Sequence, residues 1–219
     1  MERTITVKGT GNVKVSPDLT IVSLMLKSVD KDYEKAVLQA SQKLAGLQDA
    51  LQTAGFDKSL IKTSNFNVNT EYEGVRDKDG NYRNVFAGYA CTQGLKLEFD
   101  FDTKMLSAVL SAIAGCISEP ELSIRFSVKD KDAVNEALLV SAAENARKKA
   151  EILTKASGVS LGELLSINYN WGELNVYSDT NYMVEEACMR NAKCMSLDIA
   201  PEDISVSDSA AFTWRIGGE

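Results

Sequence analysis

The chain has 219 residues, 44% of them hydrophobic and 25% charged, with no histidine and a formal net charge of −7. This is the composition of a globular protein, long enough to bury roughly 70% of its unfolded surface without a metal or disulfide staple. The acidic balance excludes a general affinity for nucleic acid, because there is no surplus of cations to displace counterions from a phosphate backbone; an anionic membrane surface is disfavoured for the same reason.

No apolar run approaches the ~20 residues that a membrane-spanning helix needs. The opening MERTITVKGTGNVKV has no continuous apolar stretch of signal-peptide type. It reads as cytoplasmic as written, or as periplasmic or exported if a leader has been removed. The cysteines Cys91, Cys116, Cys188 and Cys194 do not separate these compartments, since cytosolic proteins carry as many as small buried hydrophobes.

In chain order, Ile5 and Val7 alternate with Thr4, Thr6 and Lys8, as in a half-buried strand. Gly9-Thr10-Gly11-Asn12 reads as a turn, after which Val13 and Val15 resume the alternation. A phosphate-binding loop at the same glycines is disfavoured, because it needs a helix directly after it. Leu19 to Leu26 is apolar on both faces, which suits a covered central strand. Tyr33, Val37, Ala40, Leu44, Leu47, Leu51 and Ala54 then mark one face of a long helix. Asp30 or Asp32 is placed to cap its start, and Gly55 with Phe56 to end it.

Residues 60–101 read as a long hairpin with a turn-rich tip, Asp77-Lys78-Asp79-Gly80-Asn81. Its return strand sets Tyr89, Cys91, Leu95, Leu97, Phe99 and Phe101 on one face, opposite Thr92, Lys96, Glu98 and Asp100. A shorter helix follows, capped by Asp102 or Thr103, with Leu106, Val109, Leu110 and Ile113 on one side. Leu122 to Val128 is a strand with one wet face, 132–157 a helix, Leu164 to Tyr169 a strand and Ile204 to Ile216 the last one. The order implies an α+β fold, a largely antiparallel sheet with a long hairpin and helices packed on one face. One domain is expected over 1–219, with 171–200 as a variable loop or insertion because it lacks a period. The helix–glycine–strand pattern of 32–68 recurs loosely at 132–169.

Arg147-Lys148-Lys149 stands out in an acidic chain. On the 132–157 helix, Leu139, Ala142, Ala143, Ala146, Ala150 and Leu153 fall on one arc, and Glu144, Arg147, Lys148, Glu151 and Lys155 on the opposite one. Glu144 with Lys148 and Glu151 with Lys155 are favourable i,i+4 pairs. The triplet is thus mostly a mixed-charge wet face, with Lys149 nearer the apolar arc and able to snorkel outward. Taken together, ITVKGTGNVKVSPDLTIVSL, the hairpin with its Gly88-Tyr89 pair, and AENARKKAEILTKASGVSLGELLSI resemble the SIMPL-domain family of bacterial periplasmic immunogenic proteins. The resemblance runs from Thr4 to Ile216. It implies a SIMPL fold, frequent export in bacteria and homo-oligomers among some relatives. It carries no catalytic motif.

The absence of histidine removes Ser-His-Asp and Cys-His nucleophile activation and His-based zinc sites, and no Walker-type or dinucleotide loop is present. No catalytic residue and no cofactor is therefore expected. The carboxylate pairs Glu185-Glu186 and Glu202-Asp203 read as solvated loop positions. The sharpest local candidate is a soft-metal set, Cys188, Met189, Cys194 and Met195, whose thiols and thioethers suit Cu(I). A short disulfide loop or two buried thiols explain the same residues. The expectation is a non-enzymatic envelope- or stress-related protein, acting by self-association or partner binding. The alternative is a small-ligand or metal-binding module built on 171–200.

Overall fold

The computed structural model of the protein describes residues 3–76, 82–118, 120–170, 172, 174–184 and 199–217. Among them are strands β1 (Thr4–Val15), β2 (Leu19–Asp30), β3 (Lys62–Arg76), β4 (Tyr82–Asp100), β5 (Glu121–Ser127), β6 (Ser160–Tyr169), β7 (Tyr177–Val184) and β8 (Ile204–Gly217). The helices are α1 (Tyr33–Thr53), α2 (Thr103–Ala114) and α3 (Lys131–Ala156). The strands form two sheets, ordered β3-β4-β2-β5-β7 and β1-β8-β6. This is the α+β architecture that the sequence implies. The chain divides into two compact units, each assembled from separated segments. Met1–Pro17, Ser127–Asp179 and Pro201–Glu219 make one, here the terminal unit; Asp18–Phe126 with Thr180–Ala200 make the other, the central unit.

In the central unit, β4 pairs antiparallel with β2 on one side and β3 on the other. The expected hairpin is thus present, its turn-rich tip at 77–81 lying outside the described residues. The alternation of β4 works as read. Cys91, Leu95, Leu97 and Phe99 are buried, together with Val22, Leu24 and Leu26 of β2 and Leu122, Ile124 and Phe126 of β5. Leu47 and Leu51 of α1 and Leu106, Val109, Leu110 and Ile113 of α2 complete that core. A fully buried Leu or Phe contributes on the order of 2 kcal/mol, so this one-sided layer supplies most of the unit's stability. Asp32 caps α1 by accepting from the Glu34 and Lys35 amides, and Asp102 caps α2 through the Met105 amide. After α1, Gly55 takes φ 93°, and the Phe56 amide donates back to the Leu51 carbonyl. That adds a second donor to a carbonyl of the last turn, which the Ala54 amide also reaches, and draws Phe56 into the core.

In the terminal unit, α3 lies along β1 and β8 and packs on Val7, Ala210, Phe212 and Trp214. Two expectations are corrected here. Gly9-Thr10-Gly11-Asn12 is no turn: β1 runs unbroken from Thr4 to Val15, in continuous register with β8. The glycines are there for close approach. A Cβ on Gly9 would run into the Ala142 carbonyl oxygen and lie 2.7 Å from Ala146 Cβ; one on Gly11 would run into the Leu138 carbonyl oxygen. The buried row of α3 is Val134, Leu138, Ala142, Ala146, Ala150 and Thr154. Leu139 and Leu153, placed on the buried arc from sequence, are exposed. A helix this close to a strand needs a straight i,i+4 row of small residues, so the contact follows the alanines and not the nearest leucines. Gly158 (φ 68°) ends α3 as Gly55 ends α1, with the Val159 amide on the Thr154 carbonyl. The loosely repeated helix–glycine–strand pattern thus has a matching cap in each unit.

Within 171–200, Tyr177–Val184 forms β7, an edge strand where the sequence shows no period. Its more covered positions hold Ser178, Thr180 and Tyr182. Polar side chains on the inward face erase the hydropathic alternation that marks other strands.

Candidate functional site

β4 is longer than its neighbour. β2 pairs with Tyr89–Asp100, and among the described residues the preceding part of β4, Tyr82–Phe86, pairs only with Tyr72–Arg76 of β3. The outer part of the hairpin is therefore a two-stranded ribbon, a form that is marginal in water by itself. Gly88 stands where β4 leaves the sheet, and a Cβ there would lie 2.7 Å from the Asp30 carbonyl oxygen. Glycine lets β4 pass the end of β2 at that point. The register shifts between Glu71 and Tyr72, leaving Ala87 as the extra residue. Such a bulge bends a ribbon and re-aims its side chains.

The ribbon carries large apolar side chains in the open. Tyr72, Val75, Tyr82, Val85 and Phe86 are all exposed, Tyr82 at 74%. An edge-to-face chain of rings runs from Tyr72 to Phe86 (5.9 Å), Phe86 to Tyr89 (5.3 Å) and Tyr89 to Tyr33 on α1 (5.7 Å). The Arg76 guanidinium sits 5.2 Å from the Tyr82 ring centroid. These contacts stiffen the rings and leave their outer faces wet. At the base, Lys27 of β2 pairs with Glu71 at 2.8 Å. By the register, Tyr72, Phe86 and Tyr82 share one face of the ribbon, and Val75 and Val85 the other; large apolar side chains exposed in this way mark an association site more often than an accident of folding. Sequence reading identifies the hairpin but not this site, because nothing in the strand pattern says where β2 stops.

The other sequence candidates fall elsewhere. Cys188, Met189, Cys194 and Met195 lie outside the described residues, as does the Glu185-Glu186 pair. Cys91 is fully buried, and burial pushes its thiol up from the ordinary value, partly offset by a bond from Ser28. Cys116 is partly exposed, and both are free thiols. Asp203 accepts from Ser16 (2.7 Å) and pairs with Lys14 (3.3 Å); the Ser16 bond first, then Lys14, holds its carboxyl below the usual value. Among the described residues, no group of three or more carboxylate or thiol side chains is placed to hold a metal ion.

Each unit also has a groove of its own among the described residues. In the terminal unit, a groove of about 510 Å³ is lined by Lys131, Asp132, Asn135, Gly172, Leu174, Asn175 and Tyr177, and the Lys131 ammonium lies over the Tyr177 ring at 5.3 Å. In the central unit, Ser23, Met25, Ser64, Gly94, Glu121 and Met183 border a smaller one of about 280 Å³ on the helix-free face of the sheet.

Residues 5–214 match the SIMPL family, described as a protein of unknown function (DUF541). The chain belongs to this family. Over 166 residues it is 26% identical to the uncharacterized protein YggE of Edwardsiella ictaluri, covering 76% of this chain and 67% of the relative. A 26 kDa periplasmic immunogenic protein of Brucella melitensis is 27% identical over 169 residues, covering 75% of this chain and 65% of the relative. YggE of Escherichia coli K12 is 23% identical over 166 residues, covering 76% and 65%. The match thus spans about two thirds of each relative's length. Among the described residues of this SIMPL chain, no helix is long and apolar enough to cross a membrane.

Proposed function

We propose that this SIMPL chain is a non-enzymatic protein of the bacterial envelope, acting by self-association or by binding a protein partner through the β3–β4 ribbon. The observation that carries the reading is the ribbon itself: two strands without a third among the described residues, with Tyr72, Val75, Tyr82, Val85 and Phe86 exposed on them. Aromatic side chains bury much area for little rotamer entropy and dominate association energetics. The periplasmic name of the Brucella relative supports the envelope assignment, and the lack of histidine supports a role without general-base chemistry.

The test is sedimentation velocity over a hundred-fold range of concentration, alone and with periplasmic extract, for the parent and for Tyr72→Ser/Tyr82→Ser/Val85→Ser. Concentration-dependent growth of the particle, or a stoichiometric complex, that disappears in the triple variant supports the proposal. A parent that stays monomeric and uncomplexed, or a complex that ignores the triple variant, overturns it.

A further inference from the structure

The outer edge of β1 is occupied, and the residues that occupy it come from one row of α3. Among the described residues β1 has β8 as its one strand neighbour, so the backbone groups of alternate residues Lys8, Thr10 and Asn12 face away from the sheet. Three of those groups are taken by side chains. The Asn12 amide donates to Ser141 Oγ (3.3 Å), the Thr10 amide to Asn145 Oδ1 (3.1 Å), and Lys149 Nζ donates to the Lys8 carbonyl (3.1 Å).

The spacing explains why one row can do this. Four helical residues advance about 6 Å and two strand residues about 6.7 Å. A helix running antiparallel to a strand can therefore match every fourth side chain to every second backbone group. Lys149, the longest of the three, takes up the accumulated mismatch. The match requires α3 to lie very close to β1, which Gly9 and Gly11 permit.

We propose that Ser141, Asn145 and Lys149 form an edge guard that closes β1 to strand addition. An unpaired strand edge is a template for another chain. Here the middle of that template is filled by groups of the wrong shape to be displaced cheaply, since an incoming strand would have to break three bonds and push the helix aside. Lys149 is thereby separated in role from Arg147 and Lys148, its neighbours in the basic triplet. Strand-by-strand association of this three-stranded sheet is confined to β6, and pairing through both edges at once, the route to open-ended fibres, is blocked. The guard does not depend on what the β3–β4 ribbon binds.

The experiment compares Asn145→Ala/Lys149→Met with the parent and with Lys148→Met on the same helix. Two readouts are taken: amide exchange of Thr10 and Asn12 by NMR, and sedimentation against concentration. All three chains are first checked for parent-like circular dichroism; the single variant Asn145→Ala, which still frees the Thr10 amide, replaces the pair if the double variant is not folded. Loss of one hydrogen bond corresponds to about ten-fold faster exchange. The expected result is that acceleration at Thr10, with concentration-dependent association in the guard variant and neither change in Lys148→Met. Faster exchange without association would reduce the row to a helix-docking contact and overturn the proposal; so would unchanged exchange.

Discussion

Where α3 meets β1 the two backbones nearly touch, and two glycines should be decisive there. Consider Gly9→Ala and Gly11→Ala. In an open strand, alanine in place of glycine is favourable by roughly 0.5–1 kcal/mol through the unfolded state. At these positions the new methyl meets helix backbone, the Ala142 carbonyl oxygen for Gly9 and the Leu138 carbonyl oxygen for Gly11. A backbone carbonyl has no rotamer to move into, so α3 must retreat by about 1 Å. A gap of that size forfeits a quarter to a half of each dispersion contact along the interface, which here includes Ala146 and Ala150 against Val7, Phe212 and Trp214. Overpacking of this kind costs typically 1–3 kcal/mol. We expect the upper end, about 3 kcal/mol, for each variant. For a chain of this size that is roughly 6–12 °C in the midpoint of the transition that reports on α3. Gly74→Ala is the control: the nearest heavy atom to a methyl at that position is 4.0 Å away, and it should melt at or slightly above the parent. Urea and thermal melts followed by circular dichroism and tryptophan fluorescence measure all three. If Gly9→Ala and Gly11→Ala melt with the control, α3 does not lie against β1 as described and the edge guard falls with it.

Other expectations follow from single environments. Ala146→Asp places an unpaired carboxylate at a site with 0% exposure and should cost at least ~3 kcal/mol, whereas Lys148→Glu on the wet face should cost under ~1 kcal/mol; equal melts of the two would contradict the buried alanine row. Native labelling with a thiol reagent should modify Cys116 well before Cys91, which is fully enclosed on the helix-covered side of β4; parity between them would show that this face opens readily. Asp203 has a folded-state pKa below its unfolded value of about 3.8, so its contribution is present above about pH 4 and is lost as pH falls further through the folded pKa. Asp203→Asn should therefore show a shallower loss of stability than the parent as pH falls from about 4 to about 2, and identical acid limbs would mean that the Ser16 and Lys14 contacts do not persist in solution.

What is readable in the sequence, and what is not, divides along one physical line. β4, α2 and the caps Asp32, Asp102 and Gly55 are legible because each depends on neighbours a few residues away, through alternation, periodicity or a reach to the nearest free amide. The features that sequence misplaces all concern contacts between distant segments. Gly9 and Gly11 have the local chemistry of a turn, and only a helix far along the chain gives them another reason to be glycine. The arc that hydropathy draws on α3 weights Leu139 and Leu153 above alanine, while the strand beside the helix selects for smallness. β7 escapes the pattern because its inner face holds Ser178, Thr180 and Tyr182. The ribbon's exposure depends on β2 ending at Asp30, a fact about a different strand. The basic triplet shows the same division within three residues. The wet-face reading holds for Arg147, which pairs with Glu151 at 3.0 Å, although the spacing favours Lys155 as the partner of that glutamate. Lys149, two steps further along the helix, answers instead to Lys8. Its role is set by the close approach of α3 to β1, so the glycines of one segment determine what a lysine of another can do.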